Sequence, residues 1–377
     1  MLAVPGAVVD AAASAAGRQV AAHYGNPGRE QRALETGRGV VELPSVVVAV
    51  SGRDRLGWLD TLSSQRTRDL APGDSAEILL LDVHGRIEHA AAVVDDGERT
   101  YLVTEADRAA GLAAFLDSMR FMLDVSVAVR EDVVVLGVVP GGGPLTGPFA
   151  DLAADADVLG LWRDPWPGVV EGGTRYALVG RDDAAHPGRE LPVALALVAG
   201  DALDRVVAAL GAAGVRPAGT LAWEALRVAS WRPRLAREVD DRSLPHELDW
   251  LRTAVHLHKG CYKGQEGVAR TFNLGRPPRR LAFLHLDGSD HLLPEPGAAV
   301  EHGGRVVGSI TSVARHHELG PIALAILKRS TPVDATLDVT GPAGPIAASQ
   351  EVIVAPDGHG DGRPEARGPV TPGLRRR

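Results

Sequence analysis

The chain has 377 residues, 45% hydrophobic and 23% charged, and carries a net charge of −8. At about 150 residues per domain that length implies two or three domains. The composition excludes a chain disordered throughout and a collagen-like one. The single cysteine, Cys261, excludes an internal disulfide, a zinc ribbon and a cluster caged by one chain's thiolates. The negative charge argues against non-specific DNA binding.

Residues 1 to about 45, rich in Ala and Gly, read as an extended or partly helical lead-in. The run 46–50 is apolar and mostly β-branched, which predicts a buried strand. A helix over 54–63 follows, then strands over 77–82 and 86–95 joined by a turn at His84–Gly85. A strand over 100–103 leads into a helix, for which Thr104 and Asp107 have capping-box spacing. Strands over 125–129 and 133–139 precede a break at Gly141–Gly143. Beyond it come a short strand around 176–179 and helices over 201–211 and 221–231, with Asp201 and Thr220 as candidate N-caps. From 280 onward only strands are predicted: 281–286, 298–302, 305–313, 322–327, 335–339 and 347–354. Gly303–Gly304 is a hairpin turn. That pattern reads as a small barrel. After 356 the Gly-, Pro- and charge-rich tail reads as disordered.

The expected division is therefore a lead-in (1–45), a first α/β lobe (46–130), a second (131–275), a C-terminal β-barrel (276–355) and a tail (356–377). The longest apolar run, 191–199, is half a bilayer span. The N-terminus lacks the basic segment of a signal peptide. A cytoplasmic protein with no membrane partner is expected.

Chemistry concentrates in His256-Leu-His-Lys-Gly-Cys-Tyr-Lys-Gly-Gln-Glu-Gly-Val-Ala-Arg270. Only three of the 40 cationic side chains are lysines, and two of them, Lys259 and Lys263, flank the only cysteine. Gly260 and Gly264 bracket Cys261 on a tight turn. Positive charge from Lys259, Lys263 and His258 favours the thiolate. A helix starting near Gly264 acts in the same direction and places Gln265 and Glu266 in its first turn. Between Arg252 and Arg280 stand seven cations and one acid, Glu266. This asymmetry points to an anionic ligand, or to pairing with the upstream Glu238, Asp240, Asp241, Glu247 and Asp249. His256 and His258 lack further ligands at matching spacing, so no metal is assigned. His84, His89, His316 and His317 read as structural or surface residues.

Lys259-Gly-Cys-Tyr-Lys-Gly-Gln-Glu266 closely resembles the Lys-Gly-Cys-Tyr-x-Gly-Gln-Glu motif of the YgfZ family. These proteins are folate-binding relatives of the glycine-cleavage T-protein, an aminomethyltransferase. Leu226-Arg227-Val228, Leu244-Pro245-His246-Glu247-Leu248, Gly52-Arg53-Asp54 with Trp58–Leu59, and the 81–87 hairpin resemble further family segments in the same order. The resemblance implies an α+β, three-lobed architecture: two ferredoxin-like lobes around a central folate-sized hole, plus a C-terminal barrel. It implies a tetrahydrofolate or another reduced folate as cofactor, and iron–sulfur enzymes, some of them tRNA-modifying, as clients. Cys261 and Lys259 then take the catalytic role. Tyr262, Gln265, Glu266, Arg227, Glu247 and Arg270 are assigned to the cofactor.

Two departures stand out. Where T-proteins carry an acidic pair after the early hairpin, this chain reads Gly85-Arg86-Ile87-Glu88-His89. Where T-proteins carry a glutamate that clamps the pterin, the nearest match, Tyr176-Ala177-Leu178, has no acid. The leading expectation is a folate-binding accessory protein for iron–sulfur clusters. The alternatives are a folate-dependent aminomethyl or other one-carbon transferase, and a tRNA- or protein-binding module that uses the 252–280 patch.

Overall fold

The computed structural model describes residues 1–364, apart from 2, 16, 142–143, 179–185 and 290–291. Two five-stranded sheets pack face to face, and a closed six-stranded barrel lies against them. The first sheet runs Ser75–Leu81, Ile87–Asp95, Arg99–Glu105, Ser45–Ser51, Ser126–Arg130, with every neighbour antiparallel. Without its edge strand Ser75–Leu81 this is the ferredoxin-like order. Helices Arg55–Leu62 and Ala106–Ser118 cover one face. The period-2 geometry of a strand explains the apolar run in Ser45–Ser51: Val46, Val48 and Val50 meet the helices, while Val47 and Ala49 meet the other sheet.

The second sheet runs Val158–Arg163, Ala194–Ala199, Val133–Val138, Gly39–Glu42, Arg216–Ala218. Its outer face is covered by Pro148–Ala153 and Leu203–Ala212. The strand Gly39–Glu42 corrects the reading of 1–45 as a lead-in. It lies inside the sheet, antiparallel to Val133–Val138 and parallel to Arg216–Ala218. Ahead of it come a hairpin, Val8–Ala15 with Arg18–His23, and the helix Pro27–Glu35. A four-residue strand with only Val40 and Val41 β-branched is too short for a periodic signal; it is recruited by its partners.

The barrel strands are Arg279–Leu286, Gly320–Lys328, Arg305–His316, Ala299–His302, Thr336–Gly341 and Gly344–Val352. Ala282, Leu284 and Leu286 fill its interior, while Leu281 and Phe283 pack outward against the lobes. No described helix is long and apolar enough to cross a membrane.

Several local expectations fail for tertiary reasons. Thr104 does not cap the helix Ala106–Ser118, because its hydroxyl donates to the Ala90 carbonyl at 3.0 Å. Thr220 lies inside the helix Thr220–Ala229 and donates to Asp10 at 2.5 Å. Asp201 belongs to a 3-10 turn ahead of its helix. The strand expected at 176–179 reduces to one bridge, Ala177 with Val354, and Val179 lies outside the described residues. Residues 356–364 are not a free tail: Asp361 pairs with Arg175 at 2.9 Å. Residues 365–377 lie outside the described residues, as do 142–143 of the glycine break.

Two buried histidines set an acid limit. His186 sits between Trp166 and Trp231, and His246 against Tyr176. Burial pushes their imidazoles down to about 3 and about 4. Below pH 6.5 the unfolded chain takes up protons that the folded chain refuses, so stability falls as pH drops towards 4. Unfolding free energies from urea titrations between pH 7 and 4 are expected to decline, by up to about 1.4 kcal/mol per pH unit per histidine below pH 6.5, and less steeply in His246→Gln. A flat profile contradicts this.

Candidate functional site

Between the two sheets lies a chamber of about 190 Å³. Ala90, Ala91 and Ala92 form one wall, and Trp162, Trp166 and Trp223 add aromatic surface. Small alanines on the strand leave the space, and the indoles bound it. A larger cavity of about 850 Å³ shares Leu43, Ser45, Glu105, Trp223 and Arg234 with the chamber. The N-terminal hairpin borders this vestibule through Asp10, Ser14 and Gly17, and Arg237 stands exposed at its edge.

The chamber is framed by ion pairs from the last turn of helix Thr220–Ala229 and the segment after it. Arg232 donates to Glu77 at 2.6 Å and to Asp164 at 3.0 Å, with its guanidinium 4.9 Å from the Trp166 ring centroid. Arg227 pairs with Glu224 and Glu238 and donates to Ser312 of the barrel at 2.7 Å. Arg234 meets Glu105 at 3.3 Å and Glu224 at 3.0 Å. Burial raises the Glu224 carboxyl, but the guanidiniums of Arg227 and Arg234 outweigh it and hold the group down to about 2. At Asp164 burial wins over Arg232 and the pKa rises.

The Cys261 loop lies elsewhere. Helix Gln265–Asn273 starts after Gly264, whose φ is +85°. A Cβ there falls 2.4 Å from the Asp82 carbonyl, and one at Gly267 falls 2.1 Å from that of His84. Only glycine lets the helix press its backbone onto the 82–85 turn. Cys261 is exposed. The lysines do not serve it as expected. Lys263 pairs with Glu88 at 2.9 Å, and the Lys259 ammonium is buried among the carbonyls of Asp60, Ser63 and Gln65.

Of the residues assigned to the cofactor, Arg227 alone lines the chamber. Tyr262 is a core residue packed with Val268 and Phe272, its hydroxyl pKa raised by burial. Gln265 reaches back to the Lys259 carbonyl at 3.5 Å. Glu247 is fully buried and held by Arg279 at 2.7 Å. Glu266 and Arg270 are exposed. Much of the 252–280 charge is internally matched: Arg252 to Asp249 at 2.9 Å, and Arg279 to Asp240 and Glu247. Sequence reasoning missed Glu77, Asp164, Trp223, Arg232 and Arg234. The one available signal was three arginines within eight residues at 227–234.

Glu35, His316 and His317 also converge. The His316 Nδ1 accepts the N–H groups of Glu318 and Leu319, and the His317 Nδ1 accepts from Arg32. These donors leave the proton on each Nε2, which faces Glu35, so neither ring offers that face a lone pair for a metal.

No family model matches the chain. The aminomethyltransferase of Streptomyces avermitilis is 27% identical over 337 residues, 87% of each chain. The tRNA-modifying protein YgfZ of Edwardsiella ictaluri is 31% identical over 144 residues, 37% of this chain and 43% of that one. The solved glycine cleavage system aminomethyltransferase T from Bartonella henselae shares the fold, with a TM-score of 0.69 over 93% of each chain at 18% identity. The chain is thus similar to aminomethyltransferases over most of its length and to YgfZ over part of it, and it shares the T-protein fold.

Among the described residues, each acid that lines the chamber, Glu77, Glu105 and Asp164, is paired with an arginine. Glu88 turns to Lys263, His89 packs on Phe115, and neither lines the chamber. The acid nearest the Tyr176 segment, Asp249, accepts the backbone N–H groups of Tyr176 and Ala177 at 2.5 and 3.0 Å and pairs with Arg252. It does not line the chamber either. Arg232→Leu strips the cation from buried Glu77 and Asp164. Urea unfolding is expected to show a loss of about 3–5 kcal/mol, the cost of leaving buried charge uncompensated. An unchanged midpoint contradicts the assignment.

Proposed function

We propose that the chain binds a reduced folate, with the bicyclic ring in the chamber and the glutamate tail in the vestibule. In this reading it is an accessory protein of iron–sulfur cluster assembly or repair, with Cys261 as acting thiol and tRNA-modifying enzymes among its clients. The chamber opening into its vestibule carries the folate reading. Indole walls suit a flat heteroaromatic ring, and the roughly 300–1,000 Å³ of ordinary ligand sites is met only by the two spaces together or the vestibule itself. Arg237 at the rim offers a cation to a tail carboxylate. The thiol reading rests on the 259–266 motif and on an exposed Cys261 held on a braced loop.

Because Cys261 lines neither cavity, folate binding and thiol action are separable. Titration with tetrahydrofolate is expected to change tryptophan fluorescence, equally in the parent and in Cys261→Ser. In cells the Ser variant is expected to lower iron–sulfur enzyme activity, most under oxidative stress. No binding at millimolar ligand overturns the folate reading, and a fully active Ser variant overturns the thiol reading.

The near full-length similarity to aminomethyltransferases favours a second reading, one-carbon transfer in the same chamber. The acids bordering that space are engaged by arginines: Glu77 and Asp164 by Arg232, Glu105 by Arg234. No fixed free carboxylate is left to stabilise a developing iminium. An assay with an aminomethyl-loaded lipoyl carrier is expected to show no methylene-tetrahydrofolate at ordinary enzymatic rates, roughly 1–1,000 per second. Turnover in that range establishes the second reading instead.

A further inference from the structure

The Lys259 ammonium sits in a nest of oxygens. Its Nζ donates to the carbonyls of Asp60 at 2.5 Å, Ser63 at 2.9 Å and Gln65 at 2.6 Å. The Asp60 carboxylate stands 3.4 Å away, and the Lys259 side chain is 2% exposed. The oxygens belong to the end of helix Arg55–Leu62 and the turn beyond it, where carbonyls lack helical partners and the helix dipole is negative. Asp60 stays ionised there. Burial raises its carboxyl, but the Thr67 N–H, Arg68 and Lys259 together bring it below the usual range. An ammonium has three donors and meets three carbonyls. The other lysines are held more loosely, Lys263 by Glu88 and Lys328 by the Val306 carbonyl.

Backbone carbonyls and a carboxylate converging on one positive charge form the donor set of a monovalent-cation site. We propose that the 60–65 turn is such a site, filled by the chain's own Lys259 ammonium, and that this tether is what holds the Cys261 loop in place. Lys259 is thus a positioning residue. A planar guanidinium fork cannot replace a compact point charge in this nest, which gives a physical reason for lysine here in a chain that otherwise uses arginine. The tether reaches the loop through its neighbours: Gln265 donates to the Lys259 carbonyl, and the Tyr262 ring centroid lies 5.4 Å from Nζ. Only the consequence for the thiol rests on the function proposed above; the cation site does not.

With only three lysines, the parent protein can be tested directly. Native-state acylation with peptide mapping is expected to modify Lys263 and Lys328 and to spare Lys259 until the chain unfolds. In Lys259→Ala, the Tm is expected to fall by several degrees and the Cys261 alkylation rate to change. Ammonium, methylammonium or potassium should restore both, and tetramethylammonium at equal ionic strength should not. The parent should be indifferent to the cation. Lys259→Met fills the space without charge and should show the loss without the rescue. If Lys259→Ala folds only poorly, refolding yield against cation identity is the same readout. Acylation of Lys259 as fast as Lys263, or a variant with no preference among cations, overturns the proposal. Shielding and rescue repeated in the Cys261→Ser background keep this outcome distinct from failure of the thiol reading.

Discussion

Three arginines within eight residues join the parts of the molecule around its chamber. Arg232 reaches Glu77 on the first sheet and Asp164 beyond the second sheet's edge strand. Arg234 takes Glu105, and Arg227 takes Glu238, which also accepts from Thr311 and Ser312 of the barrel. Each buried ion would cost several kcal/mol unpaired, so the partners must hold their positions for the fold to survive. Such a network adds little net stability. Its effect is geometric: it fixes the distance between lobes and so the shape of the space they enclose.

That constraint bears on chemistry. The acids that border the chamber are each committed to an arginine, Arg232 serving both Glu77 and Asp164, and Arg234 serving Glu105. An indole-walled space can recognise a flat ring by shape and contact, while the carboxylates beside it are held in ion pairs that fix their positions.

The thiol belongs to a different face. Gly264 and Gly267 bring helix Gln265–Asn273 against the early turn of the first lobe, and Lys259 locks the preceding loop from beneath. Cys261 is left at the surface of a rigidly braced loop. A group placed this way can meet a macromolecule, whereas one inside the chamber could meet only a small ligand.

The sequence alone determined the secondary pattern wherever periodicity was strong. The valine run at 46–50 follows from its continuous β-branched apolar character, the paired strands over 77–95 and the strand-only C-terminal part from short apolar runs bounded by turns, and Gly303–Gly304 turns the hairpin with φ of 57° and 72°. The 259–266 motif was also legible, because glycines and a lone cysteine among lysines are local features. Tertiary structure decided what those residues do. Lys259 and Lys263 look like the thiol's electrostatic partners along the chain, yet each finds an acceptor from a segment about 175–199 residues away. Gly39–Glu42 has only the pair Val40–Val41 to suggest a strand and becomes one because two partners flank it. The chamber itself is built from Ala90–Ala92, Trp162, Trp223 and Arg232, which no spacing rule connects. Periodicity reports which face of an element is buried; which element buries it, and which charge answers a buried charge, is settled only when distant segments compete for the same partners.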